Sequence, residues 1–189
     1  MKRILYTIGL LWACAMTQAQ TLLPPVWQGS ADVQYSSRTI AYLSPTRIVW
    51  QETTGSSSIE GIDKLLLPGN GQAELVGGKE CVIRKRPDGK VSFLLDFGRE
   101  LQGGIQIVTG QSSRKEAKVR IRFGESVSEA MCDITPENGA TNDHAIRDFH
   151  FMLPWLGVAE IGNSGFRFVR IDVEEPDIDL LLKKVRATF

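Results

Sequence analysis

Four acidic side chains sit beside the most regular apolar patterns of this 189-residue chain: Asp96, Glu125, Asp148 and Asp172. Two carboxyls held at a set separation can divide acid and base work between them, one kept protonated by its surroundings. Nothing in the spacing of these four selects a pair that would converge on one bond. For Asp96 and Glu125 the pattern supports a structural role at strand ends, accepting hydrogen bonds from backbone or from Arg167 and Arg170. Serine, histidine and aspartate are all present, but no Gly-x-Ser-x-Gly elbow anchors a nucleophile. The stretch from Gly98 to Gly103 imitates the glycine spacing of a phosphate loop, yet Gly104 and Ile105 stand where the lysine and the hydroxyl residue belong, so it reads as a turn.

Metal and sugar chemistry leave fainter traces. With only His144 and His150 and no Cys-x-x-Cys pair, a structural zinc site lacks ligands. Asp133, Glu137, Asn138, Asn142 and Asp143 could offer oxygens to calcium. They lack the ordered spacing of a calcium loop, and the same residue types serve solvated turns. For carbohydrate, the useful groups are exposed aromatics that stack on a ring beside polar side chains that bond its hydroxyls. Trp155, following Pro154, is the candidate platform and Asp148 the candidate hydroxyl partner. An aromatic capping the core is the competing use of Trp155, and burial energy favours that use.

These residues need a scaffold, and the compartment comes first. Lys2 and Arg3 precede an apolar run from Ile4 to Met16, too short to span a bilayer and followed by small residues, which reads as a secretory signal peptide over residues 1–19. The alternative is lipidation at Cys14 within Leu11, Trp12, Ala13 and Cys14, against which Trp12 is bulky. Export to the periplasm or the extracellular space is the expectation, with no membrane contact unless Cys14 is lipidated. Cleavage leaves about 170 residues, enough for one domain with a real core, and a charge near −2. The only basic triplet is Arg84 to Arg86, so nucleic acid is not an expected partner. The remaining cysteines, Cys81 and Cys132, could pair in an oxidising compartment, but two separate thiols are favoured because sequence carries no distance.

Residues 20–62 are rich in Ser, Thr, Gln, Gly and Pro and read as an irregular, partly extended leader. Within it Arg47 to Gln51 could be a short strand, with Trp27 and Trp50 packing it onto the main domain. Residues 63–189 read as an all-β, antiparallel β-sandwich of jelly-roll or concanavalin-like type. The clearest predicted hairpin pairs Lys79–Arg86 with Val91–Phe97 through Pro87, Asp88 and Gly89. Gly104–Val108 follows. Along Ala117–Phe123, Val119, Ile121 and Phe123 alternate with Lys118, Arg120 and Arg122, predicting one wet face. Met131–Thr141 reads as a long connection, and Arg147–Leu153 as a half-buried strand. Phe166–Val173, apolar on both faces, should lie centrally with Phe168 in the core. For Ile178–Phe189 a strand is preferred over a helix because the preceding chain is β.

The stretch from Phe93 to Val173 resembles the β-sandwich module that precedes the catalytic domain in bacterial α-L-rhamnosidases and related glycoside hydrolases. Three landmarks carry the resemblance: Leu95-Asp96-Phe97-Gly98 with Gly103 and Gly104; the strand from Val119 closing on Phe123-Gly124-Glu125-Ser126; and Gly165-Phe166-Arg167-Phe168-Val169-Arg170. It implies an accessory module without catalytic residues of its own. The catalytic carboxylates would lie on a helical barrel beyond Phe189, the catalytic domain would be the partner, and a rhamnose-containing glycan the ligand. On that reading the chain is truncated before its barrel and is inactive alone. The alternative is a free-standing carbohydrate-binding or surface-adhesion sandwich.

Overall fold

The computed structural model describes residues 40–69, 71–75, 80–135, 137 and 147–189, all within the unit Ser36–Phe189. Residues 1–39, which hold the expected signal peptide, Trp27 and the first part of the leader, lie outside the described residues, as do Asn138, Asn142, Asp143 and His144. In chain order the elements are β1 (Tyr42–Leu43), β2 (Arg47–Thr53), β3 (Ser58–Glu60), a 3₁₀ turn (Ile62–Leu66), β4 (Cys81–Lys85), β5 (Val91–Thr109), β6 (Glu116–Gly124), α1 (Val127–Met131), β7 (Asp148–Pro154), β8 (Gly157–Val173) and β9 (Ile178–Thr188). Every strand pairing is antiparallel.

Two long, bent strands make the sandwich. The first half of β5 pairs with β2 and with the end of β8; the second half pairs with β9 and with the start of β8. One layer therefore reads β2, β5, β8, β6, β7, and the other β3, β4, β9, β5, β8. Register jumps between Asp96 and Leu101, and again between Gly103 and Ile105, mark where β5 passes from one layer to the other. Gly98 sits in that corner at φ +80°, a conformation a β-carbon disfavours. Gly162 turns β8 at φ +88°, and a β-carbon there would lie 2.6 Å from the Phe123 ring.

The core lies between the layers. Phe93, Leu95 and Phe97 from β5 and Val169, Ile171 and Val173 from β8 face Ile105, Ile107, Val185, Leu182 and Ile83 across it. Phe166 joins Phe97 and Phe123 edge to face, with centroids 5.7 and 5.0 Å apart. Because β8 changes phase between Phe166 and Val169, Phe168 leaves this core. It joins Leu94 and Ala130 in a smaller cluster on the outer face, flanked by Val49, Trp50 and Met131.

Several expectations hold and three need correction. The Phe166–Val173 stretch is central, between β5 and β6, and Ile178–Thr188 is a strand. Arg47–Gln51 falls within β2, and Trp50 packs on the outer cluster as the leader reading requires. The predicted hairpin does not form. β4 pairs with β3 and β9, and β5 with β2, β8 and β9, so the Pro87-Asp88-Gly89 turn links the two layers instead of two ladder neighbours. The turn residues reverse the chain as expected, but seven consecutive buried residues from Val91 to Phe97 need cover on both faces, which a two-stranded ribbon cannot supply. The Met131–Thr141 connection begins later than expected, because α1 occupies Val127–Met131. The face bearing Lys118, Arg120 and Arg122 is wet at one end only: Lys118 is exposed and Arg120 partly so, but Arg122 is only 4 % exposed.

Phe166→Ala is expected to cost about 3–5 kcal/mol, as removal of a fully buried ring between two aromatic partners, and Phe168→Ala roughly 2 kcal/mol from the smaller cluster. Denaturant titration of both variants checks the order. A larger loss at Phe168 would contradict the division between main and outer cores.

Candidate functional site

The outer face of the first layer carries a lattice of arginines and aspartates. Period two sends Arg120 and Arg122 of β6, Asp148 of β7, and Arg170 and Asp172 of β8 to this face, while their apolar neighbours enter the core. Arg120 Nε donates to Asp148 Oδ1 at 2.8 Å, Arg122 Nη2 to Asp172 Oδ2 at 2.7 Å, and Arg170 Nε to Asp172 Oδ1 at 2.9 Å. Asp133, just past α1, accepts from Arg120 at 3.0 Å and Arg122 at 2.9 Å. Burial alone would raise the Asp172 carboxyl, but hydrogen bonds from Ser92, Arg122 and Arg170 leave it below the ordinary carboxylate range. The Asp148 hydrogen bond holds the Arg120 guanidinium further above its usual value.

Helix α1 closes one end of this lattice. Ser126 caps it by accepting from Glu129 N at 3.2 Å, while the Glu129 carboxylate accepts from Glu125 N at 2.8 Å. Ala130 anchors the helix on Phe168 and Leu94, and Cys132 N closes the last turn on Ser128 O at 2.9 Å. Between the helix end, the end of β6 and the start of β7 lies a cavity of about 200 Å³. Its walls include Ser128, Glu129, Cys132, Ile134, Arg147 and Asp148. Hydroxyl, carboxylate and guanidinium groups thus surround an apolar side chain on a sheet whose ion pairs fix the geometry.

A second group of charges sits where β5 bends. Asp96, 2 % exposed, accepts from Arg167 Nε and Nη2 at 2.9 and 3.0 Å, Arg47 Nη2 at 2.8 Å and Gly98 N at 2.7 Å. The Arg167 hydrogen bonds, helped by Gly98 and Arg47 and opposed by burial, hold its carboxyl at about 2. This is the structural role expected of Asp96, in a position where it stays ionised. Glu125 is exposed at the end of β6.

The two sugar-binding candidates do not meet. Asp148 opens β7 and lines the cavity, whereas Trp155 follows the last residue of β7, roughly 20 Å away along an extended strand. Trp155 is 38 % exposed and does not cap the core. Among the calcium candidates, Asp133 is engaged by two arginines and Glu137 is exposed, and the others lie outside the described residues. Among the described residues no group of three or more histidine, cysteine or acidic side chains converges as a metal site. Cys81 is buried in β4, where burial pushes its thiol up to about 12, and Cys132 is exposed; both are free thiols. Sequence reasoning missed Ser128, Glu129, Cys132 and Arg147. The Ser126-x-x-Glu129 capping pattern was the available signal for the first three.

No protein-family model matches the chain, and no curated protein matches it. Among solved structures it is similar to a rhamnosidase from Klebsiella oxytoca with rhamnose bound: 17 % identity, TM-score 0.44, covering 79 % of this chain and 29 % of that one. It is similar to a fucose-binding module of Streptococcus pneumoniae: 9 % identity, TM-score 0.43, covering 69 % and 88 %. It is also similar to a fucolectin from striped bass serum, Morone saxatilis: 19 % identity, TM-score 0.46, covering 73 % and 45 %. The chain spans less than a third of the rhamnosidase's length. At these identities and TM-scores the likenesses assign no activity to this chain.

Asp96 generates a pH prediction. Its folded pKa lies below the unfolded value of 3.8, so its contribution is present above pH 4 and is lost as pH falls towards 2. Because Arg47 and Arg167 are partly exposed, the contribution is discounted to roughly 1–2 kcal/mol. Asp96→Asn should lower stability at neutral pH and flatten the dependence between pH 4 and 2. Equal acid slopes for the variant and the wild type would contradict the clamp.

Proposed function

We propose that this chain is a non-catalytic, glycan-binding β-sandwich that takes one neutral sugar residue in the cavity beside α1. The cavity carries the proposal. It has the size of a single sugar ring, apolar surface at Ile134, and convergent polar groups from Ser128, Glu129, Arg147 and Asp148 on a rigid sheet. A sugar offers the complement, a C–H face ringed by hydroxyls that both donate and accept. Asp96 and Asp172 are held ionised by arginines and so are not poised as a general acid, which must keep its proton near neutral pH. The signal-like N-terminus supports export. The finer reading, from the landmarks at Leu95–Gly98, Val119–Ser126 and Gly165–Arg170, is an accessory module of an α-L-rhamnosidase-like hydrolase whose catalytic carboxylates lie on another domain.

Cys132 reports on the cavity directly, because it is an exposed thiol in the wall while Cys81 is buried. With L-rhamnose or L-fucose as probe, saturating sugar should slow maleimide labelling of Cys132 several-fold, and Cys132→Trp should abolish calorimetric binding without lowering the melting temperature. Unchanged labelling and no heat at millimolar sugar would overturn the proposal. On an aryl α-L-rhamnoside the purified chain is expected to show no turnover. Turnover that disappeared in a folded Glu125→Gln, Asp148→Asn variant would contradict the non-catalytic reading.

A further inference from the structure

The Asp133 side chain does not line the cavity beside α1, yet both residues that flank it do. Cys132 and Ile134 stand in the cavity wall, while the Asp133 carboxylate joins the arginine lattice. Its Oδ1 accepts from Arg120 Nη2 at 3.0 Å and from Arg122 Nη1 at 2.9 Å. The same Arg120 nitrogen donates to Asp148 Oδ2 at 2.5 Å, and Asp148 belongs to the wall on the β7 side. Arg122 donates to Asp172 at 2.7 Å and to the carbonyl of Met131, the last residue of α1, at 3.4 Å. A chain of alternating charge through Asp133, Arg120 and Asp148 therefore joins the segment after α1 to the start of β7. The cavity lies between those two elements.

The links of this chain differ in their access to solvent. The Asp148 side chain is 9 % exposed and that of Asp133 57 % exposed. Dissolved salt screens the outer link far more than the inner one. Each arginine is already fixed to the sheet by another carboxylate, Arg120 by Asp148 and Arg122 by Asp172. What Asp133 adds is the tie from that fixed pair to the segment carrying Cys132 and Ile134.

We infer that Asp133 is the positioning residue of the cavity: its carboxylate holds the Cys132–Ile134 wall against the β7 side without touching the sugar, so that uptake of a neutral sugar depends on ionic strength. The inference rests on the reading of the cavity as a sugar site. A neutral ligand brings no charge of its own to be screened, so a salt dependence of its affinity comes from ion pairs that shape the site. A carboxylate that served folding alone would change the melting temperature and leave that dependence unaltered.

The test titrates the full chain with L-rhamnose and L-fucose by calorimetry at about 0.1 M and about 1 M sodium chloride, between which the screening length falls from about 10 Å to about 3 Å. Wild-type affinity should fall about threefold with salt. Asp133→Asn should bind about threefold more weakly at low salt and lose the salt dependence, whereas Asp133→Glu, which keeps the charge, should retain it. In the absence of sugar, NMR backbone order parameters at Cys132 to Ile134 should drop from about 0.85 to below about 0.7 in Asp133→Asn, with little change in melting temperature. Salt weakens the tie in the wild type as well, so the comparison stands even if Asp133→Asn does not fold. Wild-type binding that neither salt nor Asp133→Asn altered would overturn the inference and leave the cavity reading in place. Loosened order parameters with unaltered affinity would overturn it equally. If the wild type binds neither sugar, the cavity reading fails and the inference falls with it.

Discussion

The sandwich turns on the carboxylate of Asp96. It lies where β5 stops belonging to one layer and begins to belong to the other, and four hydrogen bonds from Arg167, Arg47 and Gly98 N converge on it. Its own carbonyl also accepts from Thr46 N at 2.7 Å and from the Thr46 hydroxyl at 3.0 Å. The clamp joins β2 and β8 to the corner of β5, so one buried anion ties together three strands at the point where register is interrupted. A buried carboxylate without these donors would be costly. With them it holds the bend in one geometry.

The rest of the arrangement follows from that corner. Because β5 and β8 both cross between layers, their inward faces build one continuous core, and their outward faces diverge into two surfaces of different character. The first layer's surface is the arginine–aspartate lattice closed by α1. The second layer's surface is held by β9, where Lys184 Nζ donates to Leu67 O at 2.7 Å and Arg186 reaches Gln106 Oε1 at 2.7 Å, with the Arg186 guanidinium 3.8 Å from the Tyr42 ring centroid. Polar groups on both faces are thus used to hold segments in place. The proposed sugar cavity falls at one end of the first layer, where side chains project from α1 and the start of β7.

Much of the fold was legible because strand alternation is a local property. Val119, Ile121 and Phe123 declare their face within one strand, and the burial of Phe166 to Val173 on both sides declares a central position. What was not legible was nonlocal. The runs around Pro87-Asp88-Gly89 look like a hairpin because turn chemistry says that the chain reverses, not which strand it then meets. β5 reads as two strands because Gly98, Gly103 and Gly104 interrupt the apolar pattern, yet those glycines are what let one strand bend. Arg122 reads as solvent-facing until α1 and Asp133 are placed over it. In the same way Asp148 could be named from sequence, but its cavity partners could not, since Ser128, Glu129 and Cys132 come from a five-residue helix whose capping signal is brief.

The central claim is that a sugar ring occupies the cavity between α1 and β7. Backbone amide mapping by NMR at saturating L-rhamnose or L-fucose tests it most directly. The account predicts shifts concentrated at Ser128 to Ile134 and at Arg147 and Asp148, with the Asp96 corner unmoved. Saturable binding whose shifts left those residues untouched, or the absence of any shift at millimolar sugar, would contradict it.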